Sequence, residues 1–253
     1  MKFRPVYRLS GQRGFTLIEV AMVMLIMALL LGSLLAPLTA QIDQQKITET
    51  KKSLAEIREA LIGFAIINGR LPCPSDKTTA SGSVNAGGIE AGKEVLSCTT
   101  DATNSGVVPW VTLGVRETDA WGRRFTYRVN SAFATNAPFF SLTSLGTLDV
   151  YSTASGATPA CPADFSGRIA TNVPAIIISH GKNGFGAYTS QGGAPMSTTG
   201  ADVSEKENAD VESCYMEKEI DLNPSTAPTY DDVLIWIPPT ILFNRMVAAG
   251  KLP

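Results

Sequence analysis

The chain has 253 residues, 44% hydrophobic and 17% charged, with 22 Gly and 15 Pro, enough to bury a core in one domain and too apolar for a disordered chain. Its 21 basic and 23 acidic residues leave a net charge of −2, which offers no footprint for a phosphate backbone, so no nucleic acid is expected as a partner. Collagen-like and coiled-coil-only architectures are excluded by the same composition.

The charge is uneven along the chain. Residues 1–14 carry Lys2, Arg4, Arg8 and Arg13 and no acid; the remainder holds 17 basic and 23 acidic residues, a net of −6. Between Glu19 and Asp43 lie 23 consecutive uncharged residues, Val20 to Ile42, mostly Leu, Met, Ala, Ile and Val. That is long enough to cross a hydrocarbon core of ~30 Å as a helix. Basic residues ahead of an apolar span keep the N-terminus cytoplasmic and send the rest of the chain across the membrane. An ordinary cleaved signal would end at small residues, and Leu38-Thr39-Ala40 is only a fair match, with Leu at the −3 position. Two residues fit neither such a signal nor a plain anchor. Glu19 sets a carboxylate in the apolar segment, where an unpaired charge costs about 2.5–3.5 kcal/mol, so it calls for a partner unless it snorkels to the headgroups. Gly14 puts the smallest side chain where a protease can approach the backbone.

Read together, Arg13-Gly14-Phe15-Thr16-Leu17-Ile18-Glu19-Val20 resembles the prepilin processing motif of type IV pilins and type II secretion pseudopilins. The resemblance covers the basic leader, the Gly before the cut, the Phe after it, the Glu at the fifth mature position and the apolar helix beyond. It implies that a prepilin peptidase cuts between Gly14 and Phe15, methylates the Phe15 amine, and leaves 239 mature residues anchored in the inner membrane with the C-terminal domain in the periplasm. When such helices pack side by side away from water, the Glu19 carboxylate of one subunit can pair with the Phe15 ammonium of the next, which makes two costly charges a registry device. The expected partners are therefore the peptidase, other pilin or pseudopilin subunits and the inner membrane.

Beyond the apolar run, Ile47, Leu54, Ile57, Leu61 and Phe64 recur at steps of seven, three, four and three, with Lys51, Lys52, Glu56, Arg58 and Glu59 on the other faces, which predicts an amphipathic continuation. Asn68-Gly69 and Pro72 supply its stop. From Phe15 to Asn68 the helix would span roughly 80 Å, with Gly32 and Pro37 as places for a kink or local melting. The predicted organisation is a leader over 1–14, a transmembrane or filament-core helix over 15–42, an amphipathic helix over 43–69 and an exported β-rich domain over 70–253.

The four cysteines, Cys73, Cys98, Cys161 and Cys214, are 25, 63 and 53 residues apart, so no C-x-x-C metal or redox pair exists. Two disulfides in an oxidising compartment are expected, with three connectivities open; the pairing of neighbours, Cys73 with Cys98 and Cys161 with Cys214, is the one favoured. Residues 73–109, rich in Ser, Thr, Gly and Ala, read as a long surface excursion. Candidate strands follow at Val107–Leu113, Arg124–Val129, Leu145–Tyr151, Ala175–Ser179 and Val233–Ile237, giving an α+β fold in which the long helix packs on an antiparallel sheet. Pro238–Leu252 reads as a short amphipathic helix.

Three body segments are similar to pseudopilin landmarks: Asn68-Gly69-Arg70-Leu71-Pro72-Cys73-Pro74, Asp119-Ala120-Trp121-Gly122 and Asp231-Asp232-Val233-Leu234-Ile235-Trp236. The large Ser/Thr/Gly-rich insertions depart from a main building block and favour a minor or specialised subunit. Type II secretion relatives hold a calcium ion in the loop before the last strand. Here the corresponding stretch contains the hard oxygen ligands Asn208, Asp210, Asp221 and Asn223, but their spacing matches no fixed calcium loop and no ligand is assigned; a solvated acidic loop is the alternative. The residues themselves call for no cofactor. His180 is the only histidine and stands beside Ser179 in sequence, which does not make a catalytic pair. No active site is expected, so the chain reads as a structural filament subunit, with a filament-borne adhesive or substrate-binding role for the loops near 78–106 and 189–204 as the second reading and a secreted enzyme as the third.

Overall fold

The computed structural model describes residues 14–100, 103–136, 139–152, 166–221 and 228–252, leaving aside the side chains of 33–38. The chain divides into two units, Met1–Gln45 and Lys46–Pro253. Helix α1 runs Leu17–Asn68, 52 residues, and stays helical through Gly32 and Pro37, with no local melting there. Gly69, at φ +74°, takes the left-handed conformation that ends a helix, and its N–H closes on the Ala65 carbonyl at 2.8 Å. Among the described residues no helix is long and apolar enough to cross a membrane; the uncharged run Val20–Ile42 passes through the segment whose side chains are left aside.

The second unit is an α+β body. The amphipathic stripe of α1 buries Ile47, Leu54, Ile57 and Leu61, joined by Ile62 and Ala65, whereas Phe64 stays half-buried with the Arg70 guanidinium 5.4 Å from its ring centre. This stripe packs on one face of a four-stranded antiparallel sheet in the order β1 (Ser105–Val107), β3 (Thr126–Val129), β6 (Ala175–Ser179) and β9 (Val233–Ile237). The terminal helix α5 (Pro239–Ala248) adds Leu242 and Met246 to the same core. On the opposite face Ile176, Ile178 and Leu234 meet Leu148, Val150 and Tyr215 of a three-stranded sheet, β5 (Arg168–Val173), β4 (Leu148–Tyr151) and β8 (Cys214–Met216). Covered on both faces, β6 is buried at every position, which is why it reads as an unbroken apolar run.

Several boundaries differ from those expected. Val107–Leu113 is not one strand: β1 ends at Val107, and after Pro109 the chain turns into the short helix α2 (Trp110–Leu113), because Pro cannot donate to a ladder. Arg124–Val129 is split at Phe125 into β2 (Arg123–Arg124), which pairs with β7 (Tyr188–Thr189), and β3. The strand expected from Leu145 begins at Leu148. The sheets are not wholly antiparallel, since β4 and β8 pair in parallel across the long connection that such a pairing requires. Helix α3 (Ser131–Ala134), helix α4 (Val203–Ala209) and strands β5, β7 and β8 were not expected.

The excursion after α1 is tied down at both ends. Cys73 and Cys98 form a disulfide with Cα atoms 5.6 Å apart, and Arg70 grips Glu94 through two hydrogen bonds of 2.8 and 3.0 Å. Its middle is held by Arg124, which is fully buried. That guanidinium bonds Glu117 at 2.9 Å, the Thr79 carbonyl at 2.7 Å and the Ser81 hydroxyl at 3.0 Å, and lies 4.6 Å from the Trp110 ring centre. Cys214 is also disulfide-bonded; Cys161, its expected partner, lies outside the described residues.

Candidate functional site

Two places carry chemistry. The first is the start of α1. Gly14 lies before the helix, and a Cβ on it would touch nothing, so the fold itself does not require a glycine there. Thr16 and Glu19 form a reciprocal cap. The Thr16 N–H and hydroxyl both donate to Glu19 Oε2 at 2.8 Å, and the Glu19 N–H donates to Thr16 Oγ1 at 3.3 Å. This is a capping box, which satisfies two of the donors a helix start leaves open. This local role of Glu19 is distinct from the intersubunit pairing and from the snorkelling expected above, although the Thr-x-x-Glu spacing of the cap stands in the sequence. Phe15 is 87% exposed, and the apolar side chains that follow are exposed on every face of the helix, from 47% at Val20 to 89% at Leu17. A helix apolar all round has no stable face toward water and needs lipid or like helices around it.

The second place is a buried carboxylate cluster in the body. β6 ends in Ser179 and is followed by His180-Gly181, while Asp231-Asp232 leads into β9, its antiparallel neighbour. The pairing therefore brings the two segments together, and at Gly181, φ +52°, a Cβ would collide with the backbone and carboxyl of Asp231. Glu205 arrives from α4, which Asp202 caps in a second capping box. One oxygen from each of Glu205, Asp231 and Asp232 lies within 4.8 Å of the others, and all three residues are buried.

The hydrogen bonds hold this cluster in place without saturating it. Asn183 donates its side-chain N–H to Glu205 Oε1 at 2.7 Å and its backbone N–H to Asp231 Oδ2 at 2.8 Å. The Asp231 N–H reaches Glu205 Oε1 at 3.0 Å, and Asn208 donates to Asp232 Oδ2 at 2.8 Å. Asp231 Oδ1 and Asp232 Oδ1 have no hydrogen-bond partner, the latter lying 3.5 Å from His180 Nδ1. Burial, reinforced by the neighbouring carboxylates, pushes Glu205 up to about 7 and Asp231 up to about 6. Crowded, buried carboxylates with open lone pairs suit a hard divalent cation, although the Arg123 guanidinium already offsets part of the charge on Asp231. Asp231, Asp232 and Glu205 are the residues that would hold calcium.

This set differs from the ligands the sequence suggested. Asn208 is buried but its amide is occupied by Asp232 and by the backbone of Met216. Asp210 ends α4 and accepts from the Glu212 N–H, Asp221 bridges to Tyr230, and Asn223 lies outside the described residues. Asp231 and Asp232 stood out only as a landmark, and Glu205 was missed; its one signal was the Asp-x-x-Glu spacing from Asp202. His180 is fully buried, with Nε2 2.9 Å from Thr126 Oγ1, and Ser179 donates to Asp119 at 2.6 Å rather than to His180.

Residues 9–35 match the family model described as the prokaryotic N-terminal methylation motif, which is typical of type IV pilins and pseudopilins. No curated protein and no solved structure matches the chain. The chain thus carries a pilin-type N-terminus, and the motif points to a structural subunit rather than an enzyme.

Proposed function

We propose that this protein is a pilin-like or pseudopilin-like structural subunit. A prepilin peptidase cuts it between Gly14 and Phe15, the apolar half of α1 anchors it in the inner membrane, and its body on the periplasmic side is drawn into a filament by helix-to-helix packing. The observation that carries this reading is the methylation motif over residues 9–35, and the exposed apolar surface of Leu17–Leu31 supports it. Glu19, capped on Thr16 in the single chain, would exchange that partner for the methylated Phe15 ammonium of another subunit in the filament. We propose too that calcium is held by Asp231, Asp232 and Glu205, where the uncompensated Oδ1 atoms give it a structural role in the body.

Mass spectrometry of the N-terminal peptide from membrane-bound protein, with and without the peptidase, tests the main reading. A start at N-methylated Phe15 that disappears without the enzyme is expected. A start at Gln41 on soluble protein would overturn it.

A second reading, a filament-borne binding surface, is favoured by one observation. The uncharged stretches 78–89 and 188–201 are stitched together, with the Ser81 N–H on the Ser190 carbonyl at 2.9 Å and the Gly193 N–H on the Thr78 carbonyl at 2.8 Å. Deletion of either stretch that spares filament incorporation but removes attachment supports this role; loss of incorporation assigns the loops to assembly.

A further inference from the structure

Outside the places described above, Glu207 stands out. It lies on α4, is fully buried, and neither of its carboxylate oxygens has a hydrogen-bond partner among the described residues. Leaving such a group buried and unmet is costly. Its position is fixed by its neighbours. Asn208, the next residue, donates to the Met216 carbonyl at 2.9 Å and accepts from the Met216 N–H at 2.7 Å, and the Tyr230 hydroxyl donates to the same carbonyl at 2.6 Å, so α4 and β8 are held against one another. That seating brings Glu207 to Cys214, the first residue of β8, 2% exposed. Glu212 reaches the same point from the connecting turn, where its N–H is bonded to Asp210 Oδ1 at 2.8 Å. One oxygen of Glu207, one of Glu212 and the Cys214 Sγ lie within 4.8 Å of one another.

Two carboxylates and a sulfur around one point are a zinc donor set, since zinc accepts both thiolate and carboxylate, whereas calcium and magnesium take oxygen. Around a tetrahedral zinc with bonds of about 2.0–2.3 Å, such atoms stand about 3.4–3.6 Å apart. The three atoms are within reach of that spacing, and Glu212, whose side chain is exposed, can close the remainder. In the structure Cys214 is disulfide-bonded, and the zinc ligand is the thiolate, not a disulfide sulfur. We propose that, in the chain whose Cys214 is a thiol, Glu207, Glu212 and Cys214 hold a zinc ion with water in the fourth position, and that this site and the disulfide exclude each other. The Cys214 S–H proton leaves to solvent as the sulfur–zinc bond forms, and no electron is transferred. Zinc then compensates the buried carboxylate that the disulfide form leaves unmet, and withholds the thiolate from disulfide exchange. The site shares no residue with the cluster of Glu205, Asp231 and Asp232 and does not depend on the calcium reading.

The test uses the full processed chain in detergent, with excess calcium chloride to occupy other carboxylates, and Cys161→Ser, which removes the expected partner of Cys214 and keeps the Cys73–Cys98 disulfide. Cobalt chloride is titrated as a spectroscopic stand-in for zinc, followed by zinc chloride. For Cys161→Ser the expected result is one cobalt per chain with a thiolate-to-cobalt charge-transfer band that zinc displaces; the parent, its disulfides intact, should show no such band. Adding Glu207→Gln or Glu212→Gln should weaken binding about tenfold or more, the scale on which metal sites lose affinity when even an outer partner of a ligand is removed. Zinc should also block alkylation of Cys214 by iodoacetamide. Absence of the band at millimolar cobalt overturns the proposal, and so does an affinity unchanged in both Gln variants, which would mean binding by sulfur alone. Should Cys161→Ser fail to fold, the parent reduced with a phosphine takes its place. Loss of its native near-UV circular dichroism on reduction would also overturn the proposal, since no folded chain then carries the thiol.

Discussion

Replacing Arg124 by Met removes a buried side chain that helps hold the middle of the 73–98 excursion, leaving the Cys73–Cys98 disulfide and the apolar core untouched. The guanidinium is fully buried and bonds Glu117, the Thr79 carbonyl and Ser81. Removing one partner of a buried ion pair costs about 3–5 kcal/mol, because the other charge is left behind. The Glu117 side chain is 24% exposed, so water recovers part of its solvation and the expected loss is at the low end, about 3 kcal/mol. At about 2–4 °C per kcal/mol for a body of this size, the Tm should fall by about 6–12 °C. Near-UV circular dichroism of the full chain in detergent reads the shift, and limited proteolysis should show new cuts in the uncharged stretch 78–89. Adding Glu117→Gln should recover part of the loss, since no charge is then stranded. A Tm within about 2 °C of the parent, with an unchanged cleavage pattern, would refute the account.

Glu19→Ala should leave cleavage after Gly14 intact but strip the subunit from assembled filaments, which cross-linking from the membrane fraction reads; undiminished incorporation counts against the registry role. Gly181→Ala should abolish calcium uptake, because the new methyl strikes Asp231 in a left-handed backbone; full uptake by a folded variant contradicts the proposed site. Glu207 is buried with neither carboxylate oxygen bonded, and burial, aided by Asp210 and Glu212, pushes it up to about 7 from 4.5. Its folded form therefore holds a proton that the unfolded chain releases, so its contribution to stability falls as pH rises from about 4.5 through about 7. Glu207→Gln removes that slope, and its Tm relative to the parent should rise between pH 5 and pH 8; an unchanged difference would exclude this titration.

The parts legible in the sequence are those whose physics is local. The leader and cleavage motif occupy consecutive residues. The helix stripe repeats with the period of the turn, so Leu54, Ile57 and Leu61 could be assigned to a buried face, and β6 and β9 announce themselves as short apolar runs between turn-formers. Strands β5 and β8 could not be read this way: Arg168–Val173 is largely exposed and Cys214–Met216 is three residues long, so neither carries a pattern. Arg124 shows the same limit, since nothing local in Arg123-Arg124 tells which guanidinium is buried under Trp110. The carboxylate cluster was decided wholly by tertiary structure. Asp231 is 26 residues from Glu205 and 48 from Asn183; only the antiparallel pairing of β6 with β9 and the seating of α4 bring these groups together, and their raised proton affinities follow from that proximity and burial.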